Sequence, residues 1–383
     1  MRNRISYLWK EADAKKAYRT GVSLHSHTHH SRESLSFVSI LASRYRAVEW
    51  YLERHQLRAA KGGAGIDLFK ACWTPPLTAR DAHDLERRQI EEALGMEAIV
   101  SLSDHDNIDA ATKLRVVPGF EDTTVSVEWT VPYRESIFHI GIHNLPPGDA
   151  ASIMRTLASY TAEPRVDRLD GIFRYLNEQE SALVVFNHPR WNLNFLEGSR
   201  FNFMLADFLS RYSTFIHAFE LNGLRSWREN QDVAKLAYGW NQPVISGGDR
   251  HGREPNGNLN LTNASTFAEF AHEIRVRRVS HVMFMPQYAD PIALRFVQTF
   301  LDVIREYPDK PEGAKKWDQR TLHPDRNGVL RPVAEQWGSP PYILERVFSL
   351  TRKLEGGPAQ KLWRAAGRNE ALCLRLMDTE VAN

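Results

Sequence analysis

Between residues 20 and 290, short apolar runs alternate with stretches of helical spacing, the pattern of βα units rather than of a sandwich or a helical bundle. The clearest unit is PLTARDAHDLERRQIEEALGMEAIVSLSDHD. Thr78 followed by Asp81 reads as a capping box, and Ala79, Ala82, Leu85, Ile90, Ala93 and Leu94 recur at helical spacing until Gly95 supplies a stop. The apolar run EAIVSLS follows at once as a buried strand. Similar runs are TTVSVEW, SIFHIGIH, ALVVFNH, TFIHAFELN, PVISGGD and SHVMFM. With GVSLHSH they make about eight strands, which predicts an α/β fold with a closed or nearly closed parallel barrel, an open doubly wound sheet being the alternative.

Two stretches break the alternation. Residues 36–75 are too long for a simple connection and read as a helical insertion with a Gly-rich break. Beyond Asp290 prolines punctuate helical pieces, so residues 291–383 are expected to form a C-terminal helical extension packed on a hydrolase domain of residues 1–290. Composition adds limits. At 383 residues with 42% apolar content the chain can bury a large core, and its 49 basic and 47 acidic residues nearly cancel. A stable nucleic-acid complex is therefore not expected. Cys72 and Cys373 alone exclude a disulfide framework and a CxxC zinc site, which fits a reducing cytoplasm. The basic N-terminus has no apolar core of a signal peptide and no later run is long enough to span a bilayer, so neither secretion nor membrane insertion is expected.

Chemistry concentrates where the runs end. His25 and His27 end the first, Asp104 and His105 end IVSLS, Glu128 ends VSV, His139 lies within SIFHIGI, His188 ends LVVFN, and Asp249 and His251 follow VISGG. On a barrel, strand ends at one face converge, so these distant residues would meet in one cleft. Imidazole nitrogen and carboxylate oxygen are ligands of zinc, manganese and iron, and a two-residue step along a strand puts both histidines of an HxH on one side. His29 and His30 fall just past the strand and are expected beside the ligands or in solvent.

The ordered set resembles the PHP (polymerase and histidinol phosphatase) domain family. SLHSHTHHS matches its opening HxH block, SLSDHDN its second, VEWT its glutamate strand, and FHIGIHNL, FNHPR and SGGDRH the remaining three, over residues 21 to about 285. The resemblance implies a distorted (β/α)7 TIM-like barrel with two or three divalent ions (zinc, manganese or iron). His25, His27, Glu128 and Asp249 would hold one ion, His105 and His251 a second, and Glu128 with His139 and His188 a third. Where the family often carries a further Asp or His, this chain has Arg32 and Glu33, so either Glu33 completes the second position or Arg32 fills it. Asp104 is expected to orient a ligand histidine.

The implied activity is hydrolysis of a small phosphorylated substrate by a metal-held hydroxide, with Glu128, Asp249 and His251 as catalytic residues and a proton for the leaving group from Asp249, His251 or metal-held water. Arg190, Arg250, Arg253 and His143 lie beside ligand positions and are candidates for the substrate phosphate; Trp129 and Trp191 could stack a base or shape the pocket. A PHP-type exonuclease and a non-catalytic metal-binding module are the competing readings. An amidohydrolase would lack the SDHD block and the glutamate strand. A homo-oligomer is compatible with the sequence.

Overall fold

Hydrogen bonding sorts the strands into two five-stranded sheets and one four-stranded sheet. The computed structural model describes residues 1–35, 67, 69–311, 313–337, 345–346 and 349. The strands are β1 (Arg2–Tyr7), β2 (Thr20–Leu24), β3 (Glu33–Ser34), β4 (Cys72–Trp73), β5 (Glu97–Ser101), β6 (Val127–Tyr133), β7 (Ser136–His143), β8 (Leu183–Asn187), β9 (Ala218–Asn222), β10 (Val244–Gly247), β11 (Asn258–Thr262), β12 (Val279–Phe284), β13 (Thr321–Pro324) and β14 (Leu330–Pro332). The α-helices are α1 (Ala79–Gln89), α2 (Asp109–Leu114), α3 (Ala150–Ala162), α4 (Val166–Glu178), α5 (Gly198–Tyr212), α6 (Trp227–Gly239), α7 (Phe267–His272), α8 (Ile292–Ile304), α9 (Trp317–Arg320) and α10 (Val333–Gln336). The expected α1 unit forms as read: the Thr78 hydroxyl accepts from the Asp81 N–H at 3.1 Å, and Gly95 ends the helical run in the left-handed region at φ 69°.

The first sheet runs β1-β12-β11-β2-β5 and the second β10-β9-β8-β7-β6. The expected closed parallel barrel is not what the ladders form, for two reasons. Arg134 and Glu135 are the whole connection between β6 and β7, which permits only an antiparallel hairpin, and β7 is antiparallel to β8 as well. The ladder also breaks between the sheets, where only isolated bridges pair Ser26 with Arg250 and His105 with Glu128. Both bridges lie just past strand ends that carry the candidate ligands, so the seams and the site coincide.

Strand β11 was not legible as an apolar run because its inner positions are asparagines. Asn260 donates to Ser246 Oγ at 2.6 Å and accepts from the Ser246 N–H at 3.2 Å, and Asn258 Nδ2 donates to the Leu221 carbonyl at 2.6 Å, bonds that offset the cost of burying these amides. Apolar packing lies mainly on the outer faces. Trp129, Tyr133, Phe138, Phe186 and Phe219 of the second sheet pack against Phe173, Phe208 and Tyr212 of α4 and α5. Each such side chain contributes about 1.5–3 kcal/mol on burial.

The region beyond Asp290 is not purely helical. It contains the β13–β14 hairpin, and β13 pairs with β4, which pairs with β3. The expected helical insertion at 36–75 lies largely outside the described residues; near its end, Cys72 and Trp73 form a strand. Among the described residues no helix is long and apolar enough to cross a membrane.

Behind the seam between β2 and β10, two glycines and an ion pair fix the backbone. A Cβ at Gly247 would fall on the Glu220 carboxylate, and one at Gly248 on the Asn256 carboxamide, which itself donates to Ser23 Oγ and the Leu24 carbonyl at 2.8 and 2.9 Å. Arg250 is buried and aimed away from the cleft. Its Nε donates to Glu86 Oε1 at 2.9 Å, while its other nitrogens reach the carbonyls of Gly252 at 2.9 Å and His27 at 3.2 Å.

Two expectations follow for unfolding in urea. Gly248→Ala should lose about 1–3 kcal/mol through overpacking against Asn256, and an unchanged midpoint would contradict the close approach. Glu86→Ala should lose about 3–5 kcal/mol by leaving Arg250 buried and uncompensated, with a smaller loss for Glu86→Gln.

Candidate metal centre

Glu128 sits at the end of the second sheet, fully buried, with imidazoles facing both of its oxygens. Oε2 lies 3.0 Å from His25 Nε2 and 3.3 Å from both His27 Nε2 and His105 Nε2. Oε1 lies 3.0 Å from His188 Nε2 and 3.2 Å from His139 Nδ1. Nearby, Glu33 Oε2 lies 3.1 Å from His251 Nε2 and 3.2 Å from His105 Nε2. Asp249 Oδ1 is more distant, 3.7 Å from His25 Nε2 and 3.6 Å from His27 Nε2. The residues expected from distant strand ends thus meet in one place.

Among the described residues, three groups bring donor atoms within 4.8 Å of one another: His25, His27 and Glu128; His27, Glu33, His105 and His251; and His105, Glu128 and His139. This sorting differs in part from the one implied by the resemblance. His27 and His105 each serve two groups, while His188 and Asp249 lie beside the groups rather than within them. Of Arg32 and Glu33, it is Glu33 that turns inward among the histidines, while Arg32 is exposed.

Local hydrogen bonds choose which ring nitrogen faces inward. Glu220 Oε2 takes His25 Nδ1 at 2.5 Å, leaving Nε2 toward Glu128. Ser31 Oγ accepts from His27 Nδ1 at 3.1 Å and donates to Glu33 Oε1 at 2.6 Å. His251 Nδ1 donates to the Asp249 carbonyl at 2.7 Å, so its Nε2 points at Glu33. Such partners are what orient metal-ligating histidines. Asp104 acts one residue further along than expected, accepting from the Thr28 N–H at 2.5 Å and hydroxyl at 2.7 Å and so fixing the turn after His27.

The test of fit to a metal lies in atoms without hydrogen bonds. His25 Nε2, His27 Nε2, His139 Nδ1 and Glu128 Oε2 are buried, close together and unaligned for hydrogen bonding. Buried polar atoms are normally satisfied, and convergent imidazole and carboxylate donors suit zinc, manganese or iron. Burial opposes charge on Glu128, but His25, His105 and His139 outweigh it and hold the carboxyl well below its ordinary value. Burial is likewise overcome at Glu33 by His105, His251 and His27, and at Asp249 by the nearby His27 and His25. All three stay anionic, as ligands must.

The candidate phosphate residues are placed less favourably. The partly buried Arg190 donates to Asn202 at 2.9 Å while its Nε has no hydrogen bond, and the exposed Arg253 lies over Tyr307 at 5.8 Å. Arg250 is committed to Glu86, because its direction alternates away from Asp249. His143 is buried beside Ser101 at 2.8 Å and stacked on Phe267, with burial pulling its pKa down to about 3. Trp129 is a core residue bonded to Thr161, and the His29 and His30 rings lie 4.1 Å apart, tilted by 44°, outside the three groups.

Two residues in the site were not picked out from sequence. Glu220 had a signal, a charge within the apolar run FELN. Arg225 had none. It is buried, stacks on Trp191 at 3.2 Å, approaches Asp249 Oδ2 at 3.6 Å, and its Nε has no hydrogen bond.

Among known proteins, no family model and no curated sequence matches the chain. Solved structures similar to it at low identity include the following three. An amidohydrolase from Chromobacterium violaceum has 14% identity and TM-score 0.32, covering 46% of this chain and 83% of that one. PsfC from Pseudomonas syringae has 13% identity and TM-score 0.37, covering 74% and 97%. A candidate metal-dependent phosphoesterase from Bifidobacterium adolescentis has 14% identity and TM-score 0.31, covering 67% and 95%. The His/Glu groups that could hold metal ions are read from the geometry of the described residues themselves.

Proposed function

We propose that the chain is a metal-dependent phosphoesterase of the PHP kind, acting on a small phosphorylated substrate in a reducing compartment. The observation that carries this reading is the single buried carboxylate of Glu128 facing five histidines, with Glu33 gathering two of them from the other side. Divalent ions held there would neutralise phosphoryl oxygens and lower the pKa of water toward neutrality. His25, His27, His105, His139, His251, Glu33 and Glu128 would hold them, with His188 and Asp249 completing the shell.

The chain's own residues supply the rest. Arg225, kept flat against Trp191, presents guanidinium N–H groups beside Asp249, and phosphate oxygens accept well from such a fork. Its burial excludes competing water. Asp249 and His251 lie on one loop, their side chains 3.5 Å apart, and the anionic Asp249 carboxylate is suited to accept a proton from an attacking water. Glu220 holds the His25 ring so that it cannot swing away when substrate enters.

The decisive experiment is elemental analysis of purified protein, followed by hydrolysis of several phosphate monoesters with added Mn2+ or Zn2+. Bound metal and turnover above background are expected, and Glu128→Ala should bind fewer equivalents and fall to background while remaining folded by circular dichroism. Protein that binds metal but turns over no ester would favour the non-catalytic module instead. Arg225→Ala should lower kcat/KM by about 10–100-fold, the loss of a charge-assisted hydrogen bond, and Arg225→Lys should restore it only in part. Equal kinetics for wild type and Arg225→Ala would remove Arg225 from the site.

A further inference from the structure

The group formed by His27, Glu33, His105 and His251 has an uneven foundation. His27 and His105 follow β2 and β5, which pair along their lengths in the first sheet. Glu33 instead lies on the two-residue strand β3, whose register partner is Trp73 of β4. Trp73 is in turn the partner of Thr321 on β13. One cross-strand row, Glu33–Trp73–Thr321, thus connects a member of the group to the chain beyond residue 290. Neighbouring bonds extend it: the Leu35 N–H donates to Ala71 O at 3.0 Å and the Thr74 N–H to Arg320 O at 2.9 Å. Leu35 and Ala71 pack with Leu301, Ile304, Trp317, Val333 and Trp337 from the same late segment.

His251 has a second, separate tie to that segment. Asp302, buried on α8, accepts from the Arg253 N–H at 2.7 Å. The loop approaches so closely that a Cβ at Gly252 would lie 2.8 Å from Asp302 Oδ2. The Trp73 ring stands 5.8 Å from the His251 ring, so the two ties meet at the same point. Glu33 and His251 face each other at 3.1 Å, and both are held from α8 and β13. The group of His25, His27 and Glu128 is anchored on the main sheets.

We propose that the segment from Ile292 to Trp337 is a positioning element that sets the metal occupancy of the position formed by His27, Glu33, His105 and His251, leaving the His25–His27–Glu128 position independent of it. The inference rests on reading these groups as metal positions. Its physical basis is that a short strand and a loop turn have no rigidity of their own, and donor atoms misplaced by a few tenths of an ångström bind metal less well.

The test titrates Zn2+ into the full, metal-free chain against a competing chelator, comparing wild type with Asp302→Ala, Asp302→Asn and Glu33→Gln. Thermal melting of the metal-free proteins is measured in parallel. Glu33→Gln identifies the equivalent that belongs to the four-residue group. Asp302→Ala is expected to weaken that same equivalent by about 10–100-fold and to leave the remaining binding at wild-type strength. Asp302→Asn, which keeps an acceptor for the Arg253 N–H, should show the same selectivity with a smaller loss, and it carries the test if the alanine variant fails to fold. Wild-type affinities throughout, or a loss shared equally by every equivalent, would overturn the proposal. A wild-type chain that takes up no Zn2+ would overturn the metal reading itself, a result distinct from a variant that matches a metal-binding wild type.

Discussion

The Glu128 carboxylate, shut away from water and ringed by imidazoles, is the constraint around which the molecule is arranged. Removing one carboxylate from water costs several kcal/mol even after relaxation, so a folded chain tolerates it only where positive or coordinating partners surround it. Here those partners come from just beyond the ends of β2, β5 and β8 and from the middle of β7, and no single segment could supply them. The seam between the two large sheets runs through the same residue, since His105 and Glu128 form the bridge that joins β5 to β6. Architecture and chemistry share one contact.

Bringing side chains to that contact requires unusual backbone. His25, His188 and Asp249 all adopt positive φ, at 61°, 28° and 54°, a conformation that costs a side-chain-bearing residue on the order of 1–3 kcal/mol. The surrounding bonds hold them there. Glu220 fixes the His25 ring and accepts from the His188 N–H at 3.3 Å, while Asn222 donates to Asp249 Oδ2 at 3.2 Å. A strand end that would otherwise continue straight is thereby turned so that its side chain enters the cleft.

Much of this was legible in the sequence, because ligand residue types recur at the ends of apolar runs and the runs mark strands. Boundaries of β5, β7 and β8 fall within a residue or two of the apolar runs. What could not be read was direction and partnership. Arg250 adjoins Asp249 in sequence yet turns to Glu86, whereas Arg225, far from any motif, reaches the site because the turn after β9 folds it back over Trp191. Nor does a proline-rich tail announce that it will add strands beside Glu33: β13 and β14 are short and draw their stability from β4, which is distant in the chain.

The bare end of β10 carries a consequence for how such a chain can diverge. Gly247 and Gly248 leave no side-chain volume, and Glu220 and Asn256 occupy the space they leave. Each glycine and its tenant form a unit of inheritance: a methyl gained at one position is accommodated without loss only with a shorter side chain at the other. Mutational drift here must proceed by paired replacements, and a lineage that had lost both tenants could fill these positions freely.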